Sequence, residues 1–153
     1  MIKLTRKTEY GLMALRYLNQ QVPGHVANVK NISKQYRIPS ELLAKVMQQL
    51  KKHGIVSSIK GTSGGYSLNM ALEDISFLDY LQIFEEDTAL VECLNHAPIS
   101  CHQLNCCDIR GPLSVINTAV QQQFRVLSLQ QVFCLEPPNS IKVPSSVLAA
   151  SDA

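Results

Sequence analysis

No run of eighteen apolar residues occurs in this 153-residue chain, which leaves it without a hydropathic candidate for a membrane-spanning helix. The early apolar stretch from Tyr10 to Leu18 is broken by Arg16 and lacks a small-residue cleavage site, so it does not read as a secretory leader. The expectation is a soluble, cytoplasmic protein with no membrane partner. Acid is nearly missing from the first part of the chain: residues 1 to 70 hold only Glu9 and Glu41 against eleven Lys and Arg, a balance of +9, whereas the remainder holds three bases against ten acids, a balance of −7. A basic half on an acidic remainder fits a polyanion binder that keeps its positive charge on one face, the plain alternative being a solvated basic surface. The glycine-rich run Gly61 to Gly65 comes with neither a strand-loop-helix setting nor a Walker lysine, which excludes a nucleotide-binding loop. The vicinal pair Cys106-Cys107 has no Cys-x-x-Cys spacing, flanking helix start or paired base, so no thiol oxidoreductase, and no enzyme, is expected.

Sulfur is the resource that is present and concentrated. Four of the five cysteines, Cys93, Cys101, Cys106 and Cys107, fall within fifteen residues, in a polar stretch that also holds His96, Pro98, His102 and Asp108. Cysteines used as small hydrophobes are scattered through a core, and in a reducing compartment a cluster of them binds metal or does redox chemistry more often than it forms disulfides. Soft thiolates select Fe-S clusters, zinc or copper. A structural zinc site would need His96 or His102 to close it, and a metal-free thiol switch would use the vicinal pair. Cys134, inside the apolar run Val132 to Leu135, reads as a core thiol.

The rest of the chain divides by hydrophobic period. Thr5 can cap a first helix carrying Leu12, Leu15 and Leu18, ending before Pro23-Gly24. Asn28 can cap a second that stops near Ile38, because Pro39 forces its predecessor out of helical geometry. Ser40 is expected to cap a third in which Leu43, Val46, Met47 and Leu50 form an apolar back and Gly54 a left-handed stop. Its front carries Glu41, Ala44, Lys45, Gln48, Lys51 and Lys52, a face suited to reading bases and holding phosphates in a major groove, which makes the pair a helix-turn-helix. Ile55 to Lys60, the glycine turn and Tyr66 to Leu68 form a hairpin wing in which Lys60 can reach a minor groove. Glu73-Asp74 is expected to open a fourth helix with Ile75, Phe77, Leu78, Leu81 and Phe84 on its buried side. Gly111-Pro112 begins a long helix with Leu113, Ile116, Val120, Phe124 and Leu127 on one stripe and Val115, Ala119 and Val126 elsewhere. More than one apolar face asks for more than one partner, here the chain's own body and a twin subunit. Ser128 and Gln131 form a capping-box pattern for a short last helix.

The expected fold is therefore mainly α with a small β-hairpin: a winged helix-turn-helix domain over residues 1–87, a cysteine-rich loop over 88–110, a long dimerisation helix and a short terminal helix over 111–135, and a flexible tail over 136–153.

Lys3-Leu4-Thr5, Glu9-Tyr10-Gly11-Leu12, Lys60-Gly61, Gly64-Gly65-Tyr66 and the cysteine spacing together resemble the Rrf-type winged-helix transcriptional regulators, the family of the IscR, NsrR and RirA types, over residues 1 to about 135. Seven residues separate Cys93 from Cys101 and five separate Cys101 from Cys107, a spacing most like the iron-responsive RirA type. The resemblance implies a homodimeric repressor that binds an operator of pseudo-two-fold symmetry and carries an Fe-S cluster, 4Fe-4S before 2Fe-2S, on Cys93, Cys101 and Cys107. Cys106 is an alternative to Cys107. Glu9, of the same or the twin chain, matches the acidic residue that NsrR-type members supply as a fourth ligand. Arg110 stands where the IscR type has a ligating histidine. The implied DNA-binding residues are Thr5, Ser40, Glu41, Lys45, Gln48, Lys51, Lys52, Lys60, Gly61, Gly64, Gly65 and Tyr66.

Overall fold

Thr5 accepts a hydrogen bond from the backbone N–H of Thr8 and starts helix α1, Arg6–Asn19, in a computed structural model that describes residues 3–94 and 101–135. A cap of this kind satisfies one of the amides that a helix start leaves bare. Asn28 does the same for α2, Val29–Tyr36, by accepting from Lys30. Helix α3, Ser40–Lys52, follows, then strands β1, Val56–Ile59, and β2, Gly65–Leu68, paired antiparallel with Val56 opposite Leu68 and Ile59 opposite Gly65. A single 3-10 turn at Leu72–Asp74 leads to α4, Phe77–Phe84, and another at Glu92–Leu94 precedes the cysteine segment. Helices α5, Arg110–Val126, and α6, Leu129–Cys134, complete the described chain.

The core lies where α1, α3, α4 and the hairpin meet. Leu15, Ile32, Leu43, Val46, Met47, Leu50, Val56, Leu78, Leu81 and Leu129 are all sealed from solvent. Each such side chain stabilises the fold by roughly 1.5–3 kcal/mol relative to exposure, so the apolar back of α3 holds the helix-turn-helix together. Gly54 takes a left-handed conformation at φ 75 and turns the chain from α3 into the wing. Ala27 pairs with Tyr66 through two backbone hydrogen bonds of 2.8 and 2.9 Å, tying the segment before α2 to the hairpin. A Cβ at Gly65 would collide with the Ala27 carbonyl, so this close approach requires glycine.

Several sequence expectations are corrected. Ser40 is the first residue of α3, not its cap; Pro39 stands at the cap and offers no side-chain acceptor, and Ser40 Oγ instead lies 2.9 Å from Ser33 Oγ. Proline is pre-organised for a helix start, and that sets the boundary without a side-chain bond. Helix α2 ends at Tyr36 because Arg37 adopts a left-handed conformation at φ 53. Helix α4 begins at Phe77, after Ser76, which caps it by accepting from Asp79, while Glu73 and Asp74 belong to the preceding 3-10 turn. Cys134 is exposed at the end of α6, so it is not a core thiol. The tail 136–153, together with residues 95–100 that include His96 and Pro98, lies outside the described residues.

Helix α5 returns to the body chiefly through α4. Phe77 and Phe124 meet edge-on with ring centroids 5.2 Å apart, and the backbones of Phe77 and Leu127 and of Leu129 and Ile75 bond at 2.7 and 2.9 Å. Asn117 is the one buried side chain of α5, and its Oδ1 accepts from the Leu90 amide at 2.9 Å. The capping box at Ser128 and Gln131 is formed as expected. Leu113, Val120, Phe124 and Leu127 are half-buried, whereas Val115, Ile116 and Val126 stand in solvent.

Candidate nucleic-acid interface and cysteine segment

Burial of Leu43, Val46, Met47 and Leu50 turns the other side of α3 outward by helix geometry alone. Glu41, Lys45, Gln48, Lys51 and Lys52 are exposed there, with Ala44 half-exposed between them. The tight connection from α2, closed by Ser33 Oγ donating to the Ile38 carbonyl at 2.6 Å, fixes the angle at which this face is presented. The wing stands beside it. Lys60 is exposed directly after β1, Gly61 has φ 120, and the Gly64 amide donates to the Gly61 carbonyl at 3.0 Å. A Cβ at Gly64 would run into the Ile59 carbonyl, so the turn cannot carry a larger residue without opening. No helix among the described residues is long and apolar enough to cross a membrane.

Three of the expected DNA-contacting residues are already engaged within the fold. Thr5 caps α1 and its amide donates to Glu85 at 2.7 Å. Ser40 contacts Ser33. Tyr66 packs its ring against the core while its backbone pairs with Ala27.

The cysteine segment joins the end of α4 to the start of α5. Cys93 and Cys107 are half-buried, Cys101 and Cys106 are exposed, and all are free thiols. Cys101 Sγ lies 3.4 Å from Gln103 Oε1, and Cys106 Sγ lies 3.5 Å from the Gln103 carbonyl. Among the described residues no group of three or more His, Cys, Asp or Glu side chains is gathered closely enough to hold a metal ion. Glu9 lies in the first turn of α1, paired with Arg6 at 2.7 Å, and this neighbour raises the Arg6 pKa. By chemistry the donors fit an Fe-S cluster, since four free thiols, two half-buried and two exposed, share one segment; they are not assembled around a common point.

What sequence reasoning missed lies at the base of that segment. Glu85, the residue that ends α4, accepts from both the Thr5 amide and the Thr8 hydroxyl, so the start of α1 is clasped to the start of the cysteine segment. Tyr80 is fully buried and its hydroxyl donates to the Thr8 carbonyl. Burial pushes the Tyr80 phenol well above its ordinary pKa, and the nearby Glu85 charge adds to the effect, against a backbone contact with Leu12. Thr8 at i and Tyr80 seventy-two positions later carry no local sign of each other; a Cβ at Gly11 would collide with the Tyr80 hydroxyl, so the close crossing requires glycine there.

Residues 4–134 match the Rrf2 family of iron-dependent transcriptional regulators. The chain belongs to the Rrf2 family. The regulator NsrR of Halalkalibacterium halodurans is 34% identical over 82% of this chain and 84% of the relative, and NsrR of Bacillus subtilis is 33% identical with the same coverage. Among solved structures, CymR, the global cysteine regulator of Bacillus subtilis, superposes with a TM-score of 0.69 at 21% identity, covering 90% of this chain and all of that one. The IscR of T. potens gives 0.64 at 19% identity, covering 87% of each chain. At those identities the structural likeness establishes the winged-helix fold alone. This Rrf2 protein is a DNA-binding transcriptional regulator and not an enzyme.

Proposed function

We propose that this Rrf2 protein is a homodimeric cytoplasmic repressor whose grip on DNA is set by an Fe-S cluster reporting iron, Fe-S or redox status. The observation that carries the DNA half is the exposed face of α3, where Lys45 and Gln48 are flanked by Lys51 and Lys52 above a sealed apolar back. In this reading Lys45 and Gln48 reach base edges, Glu41 accepts from a base amine, and Lys51, Lys52 and Lys60 meet phosphates. Gly61, Gly64 and Gly65 let the wing backbone approach the duplex, Thr5 and Ser40 stand at helix starts that face phosphate, and Tyr66 braces the wing. Two copies would place their reading helices on half-sites of a pseudo-symmetric operator, about 10 base pairs apart.

The sensing half rests on four free thiols in the segment between α4 and α5. Cys93, Cys101 and Cys107 would hold the cluster, Cys106 serving if Cys107 does not, with Glu9 of the same or the partner subunit as fourth ligand; 4Fe-4S is favoured over 2Fe-2S. When bound, such a cluster supplies a labile, redox-active group. The chain's part is to convert segment geometry into reading-head geometry. Leu90 is held by Asn117 of α5, and Glu85 is held by the start of α1. Gathering the thiols therefore pulls on two helices at once. A bound group alters operator affinity only as far as it favours one of those arrangements.

The rival is a metal-free regulator governed by a protein partner, or a zinc or thiol switch at the same cysteines, and it draws on the fact that these thiols are not gathered. Selecting an operator from a random duplex pool with anaerobically reconstituted protein, then comparing its affinity with and without the cluster, separates the two. A shift of about tenfold or more is expected, the usual scale of allosteric coupling. Equal affinity in both states would establish the rival.

A further inference from the structure

Next to the reading face, and sharing Lys45, Gln48 and Lys52 with it, the described residues form a groove whose apolar part DNA contact leaves unexplained. This groove of about 490 Å³ runs between α1, α3 and the end of α4, lined by apolar Leu42, Val46, Ile83 and Phe84, by Gln48 and Gln49, and by Lys7, Lys45 and Lys52. Leu42 is 43% exposed, an unusual position for a leucine on a helix whose other leucines are sealed. Among the described residues no carboxylate lines the groove, and the one ion pair is Arg6 with Glu9. Three lysines thus share the lining of a partly apolar groove, and none of them is in an ion pair among the described residues.

That combination has a definite complement. DNA phosphates need donors and gain nothing from Leu42, Ile83 and Phe84, so a face built for the duplex alone has no reason for an open apolar lining. A neutral apolar ligand would leave the lysines unmatched. The volume falls in the range of small-ligand sites, which pair a mainly apolar lining with a few polar groups that fix orientation. We propose that this groove binds an amphipathic monoanion, an acyl chain ending in a carboxylate, with the chain over Leu42, Ile83 and Phe84 and the head group between the lysines. Lys45 and Lys52 also belong to the DNA-facing side of α3, so ligand and duplex compete for them. The competition rests on the DNA-facing assignment of α3, whereas the binding itself does not.

The test uses the full chain without cluster, dodecanoate below its micellar range as the probe, and a random-sequence duplex at low salt, so that neither operator nor cofactor enters. Titration calorimetry is expected to show a single saturable site, with Lys7→Gln and Leu42→Gln each weakening it by about tenfold or more. Both variants are expected to hold the random duplex within about twofold of wild type, as surface changes outside the contact set do. Saturating dodecanoate is expected to weaken duplex binding by wild type and not by Leu42→Gln. Binding without competition would keep the ligand site and overturn the orientation given to α3. Absence of a saturable site, equal binding by both variants, or dodecanol binding as tightly as dodecanoate would overturn the site. Sedimentation of Leu42→Gln gives a further arm: a changed subunit mass would assign the groove to an interface between copies and overturn the ligand. Circular dichroism of each variant separates loss of ligand from loss of fold.

Discussion

The hydroxyl of Tyr80 donates a 2.6 Å hydrogen bond to the carbonyl of Thr8, joining α4 to the first turn of α1 inside the core. Thr8 and Tyr80 are both fully buried, so neither polar group has water to fall back on. Tyr80→Phe leaves the Thr8 carbonyl without this donor and is expected to lower stability by roughly 1–3 kcal/mol, read by urea unfolding. A loss below the error of that measurement would mean the bond contributes nothing net.

The same pair sets an alkaline limit. Because burial raises the Tyr80 pKa in the folded state, the unfolded chain gives up its phenolic proton first, above about pH 10. From there stability falls as pH rises toward the folded value. Other groups titrate in that window, so the diagnostic is the difference between wild type and Tyr80→Phe, whose unfolding free energy is expected to fall less steeply. Parallel curves would contradict the assignment.

Glu85 extends this joint to the surface by accepting from the Thr5 amide and the Thr8 hydroxyl. A carboxylate at a helix start also opposes the positive end of the helix dipole. Glu85→Ala is expected to cost about 1–2 kcal/mol, the range for loss of a strong cap, with faster amide exchange in the first turn of α1 and unchanged exchange in α3. Exchange that speeds up uniformly would assign Glu85 a global role instead.

Local signals of the fold were legible and distant ones were not. Thr5, Asn28, Gly54 and the Ser128–Gln131 box act within a few residues of themselves, and each does what its position foretold. The apolar back of α3 was equally readable, because its period alone decides which face is buried. Arg37 hid the end of α2, since arginine carries no sign of a left-handed turn and Pro39 offered a nearer reason to stop. Ser40 looked like a cap by type, but Pro39 already fixes the helix start and frees that hydroxyl for Ser33. The Tyr80–Thr8–Glu85 joint depends on packing across the whole domain and left no spacing to read. In the cysteine segment, residue type suggests soft-metal chemistry as an expectation only, because assembly of a site depends on how the loop closes, which period and propensity do not encode.

The reading face makes a separable expectation. Lys51→Ala and Lys52→Ala should weaken all duplexes alike and reduce the salt slope by about one each, whereas Gln48→Ala should lose about 1–3 kcal/mol on its preferred site and little on random DNA. Anisotropy titrations over a salt series check this. A change of sequence preference in Lys51→Ala without loss of general affinity would rotate α3 on the duplex.

Helix α5 carries the dimer expectation. Val115 is 71% exposed and Ile116, on the neighbouring stripe, 52%, so α5 presents apolar side chains that the other described residues leave uncovered. Val115→Arg should leave subunit stability within about 0.5 kcal/mol while halving the mass seen by sedimentation, because it charges only a surface that a twin would bury. An unchanged mass would move the dimer interface elsewhere.

The central claim, a cluster held by this chain's own thiols, is met most directly by iron and acid-labile sulfide analysis of protein purified without oxygen. Wild type and Cys106→Ala are expected to carry matching iron and sulfide, and Cys93→Ala, Cys101→Ala and Cys107→Ala to lose both. Wild-type protein free of iron and sulfide after reconstitution, or full retention in the Cys93, Cys101 and Cys107 variants, would contradict it.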